Sequence, residues 1–203
     1  MKSYLSHLEC TGCGKLYTFT EPIRTCSECN KVLFARYDLA SIKQEICKDA
    51  FLTRPNDMWR FFELMPVLDF DNVITLGEGG TPLLAAHNLG RKLGLNNLYI
   101  KDEGLNPTSS FKARGISAAV SKAKELGITR FTMPSAGNAA GAVAAYAARG
   151  GLEARVFMPS DAPESNKKEC LALGAPLQLV DGLIGDAGRL SKDMAQKEDM
   201  FDL

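Results

Sequence analysis

Lys112 lies in the run Asn106, Pro107, Thr108, Ser109, Ser110, Phe111, Lys112, Ala113, Arg114, Gly115, a spacing that predicts a lysine in the first turn of a helix. Pro107 ends an extended segment, Ser109 or Ser110 is placed to cap the helix, and free N–H groups at a helix start set a positive potential that disfavours an ammonium. Packing of Lys112 against apolar neighbours such as Phe111 would add desolvation in the same direction. The result would be a neutral amine able to attack a carbonyl and form a Schiff base. The plain alternative is a solvated surface lysine, the commoner state of that side chain.

A second run, Pro134, Ser135, Ala136, Gly137, Asn138, Ala139, Ala140, Gly141, follows an expected strand and leads into the alanine-rich stretch Ala142 to Ala148. Strand, small-residue turn and helix start together let an anion such as a carboxylate approach backbone N–H groups, while Asn138 offers an amide to a second polar group. An ordinary strand-to-helix turn capped by Asn138 is the alternative.

The two runs, in this order, resemble the fold type II pyridoxal-phosphate enzymes, the group that includes threonine synthase, threonine dehydratase and the tryptophan synthase β chain. The resemblance implies that Lys112 carries pyridoxal 5'-phosphate as a Schiff base, that Phe111 lies against the pyridine ring, and that Asn138 bonds the ring's phenolic oxygen. It also implies that Ser135 and the amides of Gly137, Asn138 and Ala139 receive the substrate carboxylate. The cofactor would act as an electron sink for a bond broken at the substrate α-carbon. Lys112, once displaced by an amino acid, would be free to move the α-proton.

Four cysteines carry the other chemistry. Two residues lie between Cys10 and Cys13, as between Cys26 and Cys29, and twelve residues separate the pairs. Such knuckles suit a tetrahedral, structural zinc with four thiolates and no open position. Gly12 and Gly14 flank Cys13 and supply backbone freedom. Two disulfides or a redox pair are the competing reading, and a ribbon without metal is a third. The opening residues through Glu9 have no long apolar core, so no signal peptide, a reducing cytoplasm and free thiols are expected.

Within the resembling group the ribbon points to threonine synthases, which commonly carry one ahead of the enzyme domain. Tyr37-Asp38-Leu39, Trp59-Arg60, Leu64 to Pro66 and Leu76-Gly77-Glu78-Gly79-Gly80-Thr81-Pro82-Leu83 agree with that family too. The activity implied is conversion of O-phosphohomoserine and water to threonine and phosphate. A threonine or serine dehydratase and a cysteate synthase share the same two runs, and a zinc-ribbon interaction module without catalysis is the reading from another class.

The elements expected to position these groups alternate. Strands are expected near Leu98 to Lys101, Ile128 to Met133, Ala154 to Met158 and Leu177 to Val180. Helices are expected near Ser110 to Leu126, Asn138 to Arg149, Glu164 to Leu173 and Gly185 to Lys197, with Gly127, Gly150 and Gly174 as left-handed caps. This is an open parallel α/β sheet whose site lies beyond the carboxyl ends of the strands. The organisation expected is a zinc ribbon over 1–35, a helical connecting arm over 36–75 and a partial pyridoxal-phosphate enzyme domain over 76–203.

Remaining residues receive plainer readings. Gly77 to Pro82 lacks the lysine and hydroxyl ending of a P-loop and reads as a structural turn before a helix. Cys47 and Cys170 read as small core residues in helices. Asp102 and Glu103 read as a solvated strand end. Trp59, Phe61 and Phe62 read as a cluster packing the connecting helix onto the body. His7 and His87 are the only histidines and have no triad motif around them.

Twenty-four Lys plus Arg balance twenty-four Asp plus Glu, so no nucleic-acid partner is expected. No apolar run is long enough for a membrane span. The expected ligand is a small amino-acid substrate. Gly182, Gly185 and Gly188 do not match the family's glycine-rich phosphate loop. The chain therefore resembles the front part of such an enzyme, for which weak or absent turnover is expected alone, with a homodimer or a separate C-terminal half as partner.

Overall fold

Two tight knuckles organise the N-terminal sheet of the computed structural model, which describes residues 1–203. β1 (Leu5–Cys10) pairs antiparallel with β2 (Leu16–Tyr17) on one side and β3 (Leu33–Tyr37) on the other. At each knuckle the amide four residues on returns to the first cysteine's carbonyl, Gly14 to Cys10 at 3.1 Å and Asn30 to Cys26 at 2.9 Å. Both closing residues have left-handed backbone, φ 72° and 56°, the conformation that glycine and asparagine adopt most readily.

Residues 36–75 contain α1 (Leu39–Glu45), capped by Asp38, and three 3-10 helices, Lys48–Phe51, Met58–Leu64 and Phe70–Asn72. Met58, Trp59, Phe62 and Val67 form a small core there. Phe61 stays exposed and meets Phe51 in a tilted contact with ring centroids 5.1 Å apart. The core position expected for Cys47 is not found. α1 ends before it, and its thiol is exposed.

The remaining elements are α2 (His87–Leu93), framed by β4 (Leu83–Ala85) and β5 (Tyr99–Lys101), then α3 (Lys112–Glu125), β6 (Arg130–Pro134), α4 (Asn138–Gly150), β7 (Glu153–Pro159), α5 (Glu164–Ala172), β8 (Leu177–Val180), α6 (Ile184–Glu198) and β9 (Phe201–Asp202). β8, β7, β6 and β9 lie side by side, all parallel. The strand expected at Leu98 to Lys101 does not join them. It pairs antiparallel with β4 in a separate two-stranded ribbon, Leu83 opposite Lys101 and Ala85 opposite Tyr99.

α4 is buried from Ala140 through Ala147, packed between α3, α5 and the sheet, and its run of alanines lets those neighbours approach closely. Phe131, Val143, Tyr146, Val156 and Met158 complete the main core. Gly127 and Gly174 take left-handed backbone as expected. The third such position is Gly151, with φ 67°, because α4 runs one residue further, through Gly150. No helix is long and apolar enough to cross a membrane.

The Gly77 to Pro82 turn leads into β4, not into a helix. Gly79 has φ 108°, and a Cβ there would lie 2.4 Å from the Met58 backbone nitrogen. Gly79→Ala is expected to cost at least about 1–3 kcal/mol from backbone conformation alone, with the clash added to it. Urea unfolding would show it as a lower midpoint at unchanged slope.

Candidate active site and metal centre

α3 begins at Lys112, preceded by Phe111. The buried Ser110 stands one residue further out and supports the start in a different way: its hydroxyl accepts from the Lys112 amide at 3.3 Å. Just upstream, Thr108 and Ser109 both have left-handed backbone, φ 59° and 51°, rare for residues with a Cβ. The Thr108 hydroxyl is buried without a partner.

The surrounding contacts hold this strained turn. Asn106, 5% exposed, accepts from the Gly79 amide at 3.0 Å and donates to the Glu103 carbonyl at 3.1 Å and carboxylate at 2.8 Å. Glu103 is not the solvated strand end that its position suggested. It accepts from both Arg114 Nε and Nη2 at 2.6 and 2.7 Å and from the Thr81 hydroxyl at 2.6 Å. The Arg114 guanidinium, then the Thr81 hydroxyl, hold its carboxyl at about 2.

That value lies below the unfolded one of about 4.3, so the pair's stabilisation is present above that pH and lost as pH falls towards about 2. Glu103→Gln is expected to cost about 1 kcal/mol at neutral pH, the pair being partly hydrated. The difference from the parent, followed by thermal unfolding, is expected to vanish between pH 5 and about 2.

The desolvation that packing against apolar neighbours would add to Lys112 is not supplied by the fold. Lys112 and Phe111 are both exposed, Phe111 by 59%, with Lys112 Nζ 4.8 Å from the ring centroid. The reason is helical phase. Ala113, Ile116, Ser117 and Val120 take the buried stripe of α3, which turns its first residue outward.

The Ser135 loop leaves the carboxyl end of β6, beyond the strands. Its Ser135 amide donates to the Phe157 carbonyl at 3.0 Å, and Asn166 on α5 donates to the Ala136 carbonyl at 3.2 Å. Ser135 Oγ lies 3.3 Å from both the amide and the carbonyl of Gly137, so this hydroxyl serves the turn itself. Asn138, the first residue of α4, is exposed, and Ala139 half-buried. The Pro107–Ser109 turn packs on α4, which brings the Lys112 segment against the helix that begins at Asn138. Gly185 and Gly188 lie inside α6.

In the N-terminal sheet the Sγ atoms of Cys10, Cys13, Cys26 and Cys29 all lie within 4.8 Å of one another. Cys10 and Cys29 are 3.3 Å apart, Cys13 and Cys26 3.5 Å. Amides of Gly12 and Cys13 point at Cys10 Sγ, and that of Glu28 at Cys26 Sγ. The Tyr17 hydroxyl, donating at 3.1 Å, pulls Cys26 down to about 6 against its burial. Ligand bonds of about 2.3 Å to a tetrahedral ion imply sulfur separations of about 3.8 Å, so this cluster fits a metal with small adjustments.

Residues 74–203 match the family model described as "Pyridoxal-phosphate dependent enzyme". The chain belongs to that family. Among proteins of known activity, the threonine synthase of Methanocaldococcus jannaschii is 38% identical over 93% of this chain and 47% of its own length. That of Methanosarcina acetivorans is 37% identical over 96% and 47%. The chain thus spans about half the length of these relatives. In structure, Escherichia coli diaminopropionate ammonia lyase superposes with a TM-score of 0.60 over 66% of this chain and 40% of the lyase, at 22% identity, a likeness of fold.

For a pyridoxal-phosphate dependent enzyme, the residues at the α3 start suit the cofactor. An outward-facing amine lies beside an aromatic face, and the strained turn just before it holds a buried hydroxyl in need of a partner. Sequence reasoning missed Asn106, Glu103 and Arg114 as the supports of this turn. The signal available was Arg114, two residues past the lysine, with Glu103 as a carboxylate at a strand end.

Proposed function

We propose that this chain carries the lysine-bearing part of a threonine synthase, acting on O-phosphohomoserine and water to give threonine and phosphate. In this reading Lys112 holds pyridoxal 5'-phosphate, Phe111 lies against its ring and Asn138 bonds its phenolic oxygen. The backbone N–H groups of Gly137 to Ala139, supported by Ser135, receive the substrate carboxylate. The bound cofactor supplies an electron sink for the α-carbon. The chain's own residues anchor it, orient the carboxylate and, at Lys112 Nζ, hold or move the α-proton.

The observation that carries the reading is the packing of the Lys112 turn against the helix that begins at Asn138, in a chain 38% identical to a threonine synthase. The Cys10, Cys13, Cys26 and Cys29 cluster is read as a structural zinc site, since four thiolates leave no position for substrate.

The test loads the chain with pyridoxal phosphate and offers O-phosphohomoserine, threonine and O-phosphoserine separately, with Lys112→Ala alongside. Turnover is expected to be weak, so the visible spectrum is followed together with products. A Lys112-dependent spectral change with phosphohomoserine, accompanied by phosphate and threonine, supports the proposal. A response to threonine with release of ammonia would replace it with a dehydratase, and the absence of any Lys112-dependent spectral change with all three would end it.

A further inference from the structure

Glu78 is the most deeply buried carboxylate in the molecule, 0% exposed, and nothing proposed so far uses it. Its five donors are all formally neutral. Oε1 accepts from Trp59 Nε1 at 2.7 Å and from the Ser117 hydroxyl, whose one proton it shares with the Ile74 carbonyl 2.8 Å away, and Oε2 accepts from the Tyr146 hydroxyl at 2.6 Å, the Leu76 amide at 3.0 Å and the Thr75 hydroxyl at 3.1 Å. Burial pushes this carboxyl up, but the hydrogen bonds from Ser117, Tyr146 and the backbone outweigh it and keep it ionised. No ion pair compensates it directly: Arg114, bound to Glu103, acts on it only at longer range, so its burial costs several kcal/mol before its hydrogen bonds are counted. A residue needed only to fill this space would be apolar.

The partners show what the charge organises. Ser117 is on α3, five residues after Lys112, and Tyr146 is on α4, eight residues after Asn138. The two oxygens of one rigid group thus take one helix each. A slip of either helix by a single residue, about 1.5 Å, would break its bond. The third side is closed by Trp59 from the arm, whose indole also reaches Ser117 at 3.1 Å. Next in the chain, the Gly79 amide donates to Asn106, which steadies the turn before Lys112.

We propose that Glu78 is a positioning residue: its buried carboxylate fixes the offset between α3 and α4, and so the separation of Lys112 from Asn138. The inference about geometry stands on these contacts, and its consequence for cofactor binding rests on the function proposed above. Tyr146→Phe removes one donor and keeps the carboxylate buried; Ser117→Ala removes a second and with it a partner of the Ile74 carbonyl and of Trp59 Nε1. Both perturb the hub with less risk to folding than Glu78→Gln, whose amide would face donors.

Two readouts apply to the full chain. In the first, pyridoxal phosphate is titrated and its Lys112-dependent visible band recorded. Tyr146→Phe and Ser117→Ala are each expected to raise the half-saturating concentration about five- to ten-fold at unchanged circular dichroism. Val180→Ala, in the separate cluster with Phe157 and Ala187, serves as a control for lost stability. An equal loss of affinity in that control would overturn the inference, as would unchanged affinity in both hub variants.

The second readout is amide hydrogen exchange, which needs no cofactor. Tyr146→Phe is expected to speed exchange together in residues 106–116 and 135–142. Acceleration confined to the surroundings of residue 146 would refute the positioning role. If the parent chain shows no Lys112-dependent band, the proposed function fails, and the exchange experiment still decides whether Glu78 couples the two helices.

Discussion

Replacing Lys112 by alanine is expected to abolish all site-specific labelling of this chain by pyridoxal phosphate. With the parent chain, mild borohydride reduction after mixing should fix the label on Lys112, located by peptide mass spectrometry. In Lys112→Ala the residual label should scatter over surface lysines at a small fraction of the parent level. The selectivity has local causes. Lys112 stands in the first turn of α3, facing out, and its nitrogen lies 4.8 Å from the ring centroid of the exposed Phe111. The strained Thr108–Ser109 turn and the Asn106, Glu103 and Arg114 contacts prevent this segment from relaxing. Equal labelling of Lys112, Lys92 and Lys168 would show that the amine has no special reactivity and would remove the basis of the proposed chemistry. Phe111→Ala is expected to leave Lys112 labelled but with weaker saturation, since it removes a ring face and keeps the helix start.

The second large effect concerns the ribbon. Purified with zinc present, the chain is expected to hold one metal ion, and Cys26→Ser or a strong chelator should remove it and melt the sheet formed by β1, β2 and β3. That sheet is small and half-exposed, with Cys10 and Cys26 among its few buried side chains, so apolar burial alone is too little to hold it. Structural zinc contributes roughly 10–16 kcal/mol of apparent binding energy in comparable small modules. The main α/β body has its own core and should stay folded.

Some loosening should nevertheless reach it. The loop between the knuckles is tied to the body by an Arg24–Asp202 ion pair on β9 and by Lys122 of α3 over the Phe19 ring at 5.5 Å. Elemental analysis paired with hydrogen exchange tests both statements. A metal-free protein with a protected ribbon would contradict the first, and identical exchange in β9 with and without metal would contradict the second.

Local signals account for what could be read in advance. The alternation from α3 to α6, the helix start at Asn138, the start of α3 to within two residues of Ser110, and the two cysteine knuckles all depend on residues within about one element's length of each other. There the 3.6-residue period, small-residue turns and left-handed caps act directly. The four cysteines needed one further step, the return of the hairpin, and their identical spacing supplied it.

Only the tertiary structure decided how those pieces meet. β5 lies outside the parallel sheet and pairs with β4, a partner its own residues do not specify. Lys112 faces solvent through the phase of α3. Glu103 is an ion-pair partner because the chain brings Arg114 back to it. Glu78 bonds Ser117 and Tyr146, 39 and 68 residues away, and no pattern within the Gly77 to Pro82 turn encodes either contact. The amino-acid order thus determined which residues could do chemistry and which elements would carry them. The offset of those elements is set by burial and hydrogen bonds between distant segments, and these exist only once the chain has folded.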